Sequence, residues 1–137
     1  MRTSLALGAA LLSVGAAIAS AVSGEGDVIV FFAVLAAVAV IIAALAAGPW
    51  TRPARLVARS LAVGWVVAAV WIAGLLVWYQ STCGCSSPAP SGPPPNVGGI
   101  PTTIFHLLAT YVGGALVTVA TFSDRIAARA NAPSATG

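Results

Sequence analysis

The chain has 137 residues, of which 59% are hydrophobic and only 7% are charged, with six basic and three acidic side chains. Soluble domains carry about 25% charged residues, so this composition excludes an ordinary water-soluble fold and favours an all-α integral membrane protein. The basic residues are all arginines, and they form no patch interleaved with aromatic side chains. That pattern argues against nucleic acid as a partner, and we expect the partner of the arginines to be the lipid bilayer.

Four apolar runs follow one another along the chain, each close to the roughly 20 residues that a helix needs to cross a bilayer. The predicted spans are residues 3–22, 28–47, 60–79 and 102–122. We expect four transmembrane helices packed as a compact bundle, in a single membrane domain over residues 1–137. Residues 80–101 are rich in Pro, Gly and Ser and are predicted to be non-helical. Residues 123–137 form a tail whose first half can prolong the fourth helix.

The first apolar run has a second interpretation, as a cleaved signal peptide. Arg2 would be the basic n-region, Leu5 to Ile18 the apolar core, and Ala19 to Ala21 a small-residue cleavage site. Both interpretations put residues 23–27 on the same side of the membrane. They differ only in whether the mature protein keeps four helices or three.

Small and aromatic residues within the spans predict helix contacts. A stripe of small residues on the first run favours close approach of a neighbouring helix. Trp65 and Trp71 lie deep in the third run, where each indole N–H is expected to find a partner on another helix. The residues of the small stripe are Ala9, Ser13, Ala16 and Ser20.

The arginines fall in three short segments that alternate with two connections without a basic residue. Because short arginine-bearing segments resist translocation, this layout predicts that both termini are cytoplasmic in a bacterial-type plasma membrane. If a helix begins near Pro53, three of the arginines share one face and can contact lipid head groups; the simpler interpretation is a topological anchor. Those three are Arg52, Arg55 and Arg59, and the other arginines are Arg2, Arg125 and Arg129.

Cys83 and Cys85 form a C-x-C in the connection predicted to lie outside, where a disulfide is favoured over free thiols. Thiol–disulfide exchange is an alternative, although the usual redox signature is C-x-x-C. Together with His106, the two cysteines could also form a three-ligand site for copper(I) or zinc. The fourth ligand is missing, so we predict no metal and no cofactor.

His106 is the only residue of the Asp, Glu, Lys, Arg and His group inside the four predicted spans. Ionisable residues at membrane depth are candidates for function. The simpler alternative is a neutral imidazole bonded to a threonine, an indole or the surroundings of Tyr111. Gating of protons or substrate would call for a carboxylate partner, and the apolar runs contain none. His106 belongs to a polar and small stripe that is expected to face other helices, formed by Thr103, His106, Thr110, Gly113, Gly114, Thr118 and Thr121.

The sequence contains no glycine-rich phosphate loop, H-E-x-x-H, G-x-S-x-G or paired-carboxylate motif. We therefore predict a non-enzymatic protein: an accessory subunit or self-associating scaffold, as a homo-oligomer or within a larger membrane complex. The alternative is a small transporter or channel component, in which several copies surround a path lined by Thr103, His106 and Thr110. A third class, an outer-face redox or metal protein, would depend on Cys83 and Cys85.

Overall fold

The computed structural model describes residues 1–82 and 96–133 and is almost entirely helical in these ranges. Four of its helices are long and apolar enough to cross a membrane, which confirms the predicted number. The last of them contains a π-helical turn, Leu108–Val112, between two α-helical parts. The elements in chain order are α1 (Arg2–Ser23), α2 (Gly26–Ala47), α3 (Arg52–Thr82), β1 (Asn96–Val97), β2 (Ile100–Pro101), α4 (Thr102–Leu107) and α5 (Gly113–Ala130).

Helix α3 is longer than hydropathy predicted at both ends. It begins at Arg52, well before residue 60, because the Thr51 hydroxyl accepts a hydrogen bond from the Ala54 amide (3.4 Å) and Pro53 suits a first helical turn. It continues to Thr82, so the expectation that residues 80–101 are non-helical is wrong for the first three. Before α4, β1 and β2 form an antiparallel hairpin whose turn, Gly98 and Gly99, has positive φ angles.

Helix α1 lies at the centre of the fold, packed against α2, α4, the π-helical turn and α5. The predicted stripe of Ala9, Ser13, Ala16 and Ser20 is fully buried. The hydroxyls of Ser13 and Ser20 donate to the carbonyls of Ala9 and Ala16 at 2.9 and 2.8 Å. Because these bonds stay within the helix, α1 can bury polar side chains while its neighbours approach its backbone.

Trp65 joins α3 to the fourth membrane helix. Its indole N–H donates to the Thr110 carbonyl at 2.9 Å, inside the π-helical turn, where the displaced backbone pairing leaves a carbonyl available to another helix. A Cβ atom on Gly113 would lie 2.9 Å from Trp65 Cζ2, so only glycine leaves room for the ring. The expected indole partner is thus found for Trp65. The same expectation fails for Trp71, whose side chain is 69% exposed on the face of α3 that points away from the bundle.

Candidate functional site

Four polar side chains meet at one end of the bundle, and we call them the histidine cluster: Ser20, Glu25, Thr102 and His106. His106 Nε2 lies 2.8 Å from Ser20 Oγ and 3.4 Å from Glu25 Oε2. The Thr102 hydroxyl donates to the other carboxylate oxygen, Glu25 Oε1, at 2.9 Å. The cluster therefore connects α1, the turn after it and the start of α4.

The turn between α1 and α2 places Glu25 over α4. Gly24 adopts the left-handed conformation (φ 79°, ψ 16°), and the amides of Gly24 and Glu25 donate to the Ala21 and Ser20 carbonyls. This is a Schellman-type helix end, which favours glycine at the left-handed position. Because helix α2 begins at Gly26, the reversal is short and the carboxylate stays close to the end of α1.

The imidazole ring of His106 packs against an aromatic side chain of α2. One face stacks on Phe32 of α2, with ring centroids 4.8 Å apart and an interplanar angle of 21°. Phe32 and Ser20 are buried, whereas the side chains of His106 and Glu25 are 22% and 27% exposed. His106 is thus packed on an apolar side chain, while both members of the pair keep part of their surface exposed.

The bonding pattern limits the chemistry of the histidine cluster. Ser20 Oγ has one hydrogen, which it donates to the Ala16 carbonyl, so His106 Nε2 donates to Ser20 Oγ. Glu25 faces the same nitrogen. A Ser-His-acid catalytic triad uses the two ring nitrogens for different partners, and this arrangement does not match it. What the geometry supports is an imidazole N–H held between a buried hydroxyl and a carboxylate.

The partners of His106 differ from those considered in the sequence. They are Ser20 and Glu25, in place of a threonine, an indole or the surroundings of Tyr111. The expectation that no carboxylate was available is wrong, because it considered only acids within the apolar runs. Glu25 lies outside those runs, in the turn that reaches over α4. The sequence held one signal for this pairing: with both termini predicted to be cytoplasmic, residues 23–27 and the start of the fourth span fall on the same, outer side.

The rest of the predicted stripe on the fourth membrane helix is divided between the interior and the surface. Thr110 and Gly114 are buried beside Trp65. Thr103 is exposed, and its neighbour Thr102 is buried instead. The residues proposed to line a path between several copies, Thr103, His106 and Thr110, therefore do not share one open face in a single chain.

The predicted cysteine pair, Cys83 and Cys85, lies outside the described residues. Its disulfide, its redox role and its share in a metal site with His106 therefore stay predictions. Within residues 1–82 and 96–133, no group of three or more His, Cys, Asp and Glu side chains could hold a metal ion.

A second polar group, the arginine cluster of Arg2, Trp50, Ser123 and Asp124, lies at the other end of α1. Arg2 forms an ion pair with Asp124 Oδ1 and donates from Nε to Ser123 Oγ at 3.2 Å. The Trp50 indole N–H donates to Asp124 Oδ2 at 3.0 Å. The Arg2 guanidinium also lies over the Trp50 ring, 4.9 Å from its centroid. This cluster ties together the start of α1, the connection from α2 to α3 and α5.

The three arginines at the start of α3 lie at this same end. Arg59 donates from Nε to the Thr121 carbonyl at 3.1 Å and lies over the Phe122 ring at 5.2 Å. Arg52 is exposed and Arg55 is half-buried. Both line a groove with Asp124 and Arg125 of α5. The arginine-bearing segments that alternate in the sequence thus converge in the fold.

Comparison with known proteins gives no family for the chain. No protein-family model, no curated protein and no solved structure matches it at a significant level. Its function therefore has to be inferred from the contacts and surfaces described above.

Proposed function

We propose that the chain is a non-enzymatic, multi-pass protein of a bacterial-type plasma membrane, acting as an accessory subunit or self-associating scaffold. The arginine cluster would face the cytoplasm, as the positive-inside rule predicts, and the histidine cluster would face outward. The observation that carries the proposal is the uncovered apolar surface of α3.

Helix α3 is much less covered than α1. Of the most apolar stretch of each helix, 17% is buried in α3 and 39% in α1. The α3 surface carries an apolar groove of about 420 Å³, and its exposed Trp71 is of a residue type enriched at protein interfaces. The residues lining the groove are Val66, Val67, Val70, Trp71, Gly74 and Leu75.

Gly74 makes this groove suitable for another transmembrane helix. A Cβ atom at Gly74 would meet nothing within 4 Å, so the backbone there is open to a neighbour. In membranes, small residues allow helices to approach closely enough for van der Waals packing, because lipid supplies no hydrophobic driving force between helices. The occupant we propose is a helix of a second copy or of another membrane subunit.

The test is purification from native membrane in mild detergent, followed by native mass spectrometry. We expect the wild-type chain to be found in an oligomer or complex and Gly74→Leu to release it as a monomer. Gly64→Leu is the matched control, because Gly64 is also exposed on α3, also has nothing within 4 Å, and lies outside the groove. A wild-type chain that is monomeric under these conditions, or equal behaviour of the two variants, would contradict the proposal.

The histidine cluster supports a second candidate, a proton-responsive transporter or channel component. The supporting observation is the carboxylate of Glu25, 3.4 Å from His106 Nε2, since membrane-embedded ionisable residues paired in this way are common in proton relays. Under this candidate His106→Ala abolishes an ion flux or its pH response in reconstituted vesicles. Ser81→Ala, an exposed position at the end of α3, leaves the flux intact. A flux unchanged by His106→Ala would remove this candidate.

A further inference from the structure

The strongest concentration of positive charge on the described surface is a groove between the start of α3 and the end of α5. It has a volume of about 410 Å³ and combines charged and apolar walls. We call it the arginine groove. The residues that line it are Arg52, Arg55, Leu56, Arg59, Asp124 and Arg125.

The arginine groove carries an excess of positive charge. Four guanidinium groups face a single carboxylate, that of Asp124. Both oxygens of this carboxylate are already bonded, Oδ1 to Arg2 and Oδ2 to the Trp50 indole. Its negative charge is therefore shared with a cation outside the groove, and the arginines that line the groove are left with little compensation from the protein.

Arg59 is fixed in place by its neighbours. Its Nε donates to the Thr121 carbonyl and its guanidinium lies over the Phe122 ring. A guanidinium has five N–H donors in a rigid fork, so four remain on the two terminal nitrogens. A fixed arginine loses less conformational entropy when it binds an anion, and its fork matches the geometry of a phosphate group.

The apolar wall indicates that the anion belongs to a lipid. Leu56 lies among the arginines and is 58% exposed. From there α3 continues with exposed Val63, Val66 and Val70 along its length. Acyl chains can lie along this surface while a head group occupies the groove. A free phosphate ion has no acyl chain, so this apolar surface would add nothing to its binding free energy.

We propose that the arginine groove binds the head group of an anionic phospholipid, and that it favours a lipid with two phosphate groups over a lipid with one. The preference follows from the charge count, because four guanidinium groups against one shared carboxylate can pair with two phosphodiester groups. Basic pockets between transmembrane helices on the cytoplasmic side are known to recognise lipids of this class. The arginine groove shares no lining residue with the apolar groove of α3, but acyl chains on Val66 and Val70 would compete there with the helix proposed above.

The experiment measures lipid retention by the full-length chain with native mass spectrometry. The protein is placed in micelles of a neutral detergent without phosphate and titrated separately with a diphosphatidyl lipid, phosphatidylglycerol, and glycerol phosphate without acyl chains. We expect the two-phosphate lipid to bind about tenfold more tightly than phosphatidylglycerol, and glycerol phosphate to bind more weakly than either lipid.

Arg52→Gln and Arg125→Gln each remove one exposed groove arginine, and neither position has a described bond to the rest of the fold. Each variant is expected to lower the affinity for the two-phosphate lipid about fivefold. Arg129→Gln is the matched control, since it removes the same charge from an exposed position on α5 outside the groove, and it should change affinity less than twofold. Unchanged thermal unfolding shows that the variants fold.

Two results would overturn the proposal. An equal loss in Arg129→Gln would mean that only the overall positive charge attracts lipid. Glycerol phosphate binding as tightly as the two-phosphate lipid would mean that the groove recognises a free anion and that the α3 surface does not contribute.

Discussion

The two ends of α1 are tied to the fourth membrane helix in similar ways but with different chemistry. At one end Arg2 forms an ion pair with the Asp124 carboxylate. At the other, His106 Nε2 lies 3.4 Å from the Glu25 carboxylate. Arginine stays charged at every pH a protein experiences, whereas the imidazole nitrogen of His106 lies between the Ser20 hydroxyl and the Glu25 carboxylate. One end of the bundle is therefore held by a permanent ion pair, and the other by a hydrogen-bonded cluster.

The two clusters hold different parts of the chain together. The arginine cluster joins the start of α1, the connection from α2 to α3 and α5. The histidine cluster joins the turn after α1 to α4 through the 3.4 Å contact between His106 Nε2 and the Glu25 carboxylate.

The largest expected effect comes from removing α1, because this removes a side chain from the arginine cluster and another from the histidine cluster. Cleavage after Ala21 would take away Arg2, Ser20 and the central buried stripe. We therefore expect the mature protein to retain α1, with an intact mass that includes it, and a variant that begins at Val22 not to accumulate in membranes. A mature protein that starts near Val22 would show that neither cluster exists in the cell.

The next largest effect is expected from a substitution in the middle of the bundle, between the two clusters. Its cost in unfolding free energy should be the same at pH 5 and at pH 8. In Gly113→Ala the new methyl would lie 2.9 Å from Trp65 Cζ2, and overpacking of this kind costs about 1–3 kcal/mol of unfolding free energy. Gly15→Ala is the control, because nothing lies within 4 Å of its Cβ position. Thermal unfolding in mild detergent at pH 5 and pH 8 should show the same loss for Gly113→Ala and little change for Gly15→Ala. Two variants of equal stability would refute the packing of Trp65 on Gly113.

A smaller, pH-independent effect is expected at the permanent end. Asp124→Asn removes the charge that pairs with Arg2, and the two side chains are 32% and 35% exposed, so solvent screening limits the loss to about 1 kcal/mol. The same unfolding measurement should give equal losses at pH 5 and pH 8. The control is Arg129→Gln, which changes an exposed charge that is not part of the cluster. A loss confined to one pH would contradict the permanent character of this pair.

The smallest effect is expected at the histidine cluster. Glu25→Gln keeps an acceptor for the Thr102 hydroxyl but removes the charge beside His106. Because both side chains are partly exposed, we expect a loss of up to about 1 kcal/mol of unfolding free energy, smaller than the loss in Asp124→Asn. Unfolding of Glu25→Gln and wild type under the same conditions would measure the change. A larger loss in Glu25→Gln than in Asp124→Asn would contradict this order.

Much of the fold could be predicted because membrane-spanning helices need about 20 apolar residues and leave a clear signal in composition. The buried stripe from Ala9 to Ser20 and the partner of Trp65 also follow from local rules on small residues and indole N–H groups. The start of α3 at Arg52 was considered only as a condition, because hydropathy marks the apolar run and not the cap and the proline that begin the helix. The π-helical turn and the pairing of Glu25 with His106 depend on how helices register against one another. That register cannot be inferred from the sequence pattern of a single helix.

The most direct test of the contrast between the two ends is a double-mutant cycle between Glu25 and His106. Unfolding free energies of wild type, Glu25→Gln, His106→Gln and the double variant give the coupling between the two side chains. We predict a favourable coupling for this pair, and a larger one in the same cycle for Asp124→Asn and Arg2→Gln, because the Arg2 guanidinium is always charged. No coupling between Glu25 and His106, or a coupling larger than that between Arg2 and Asp124, would contradict the account.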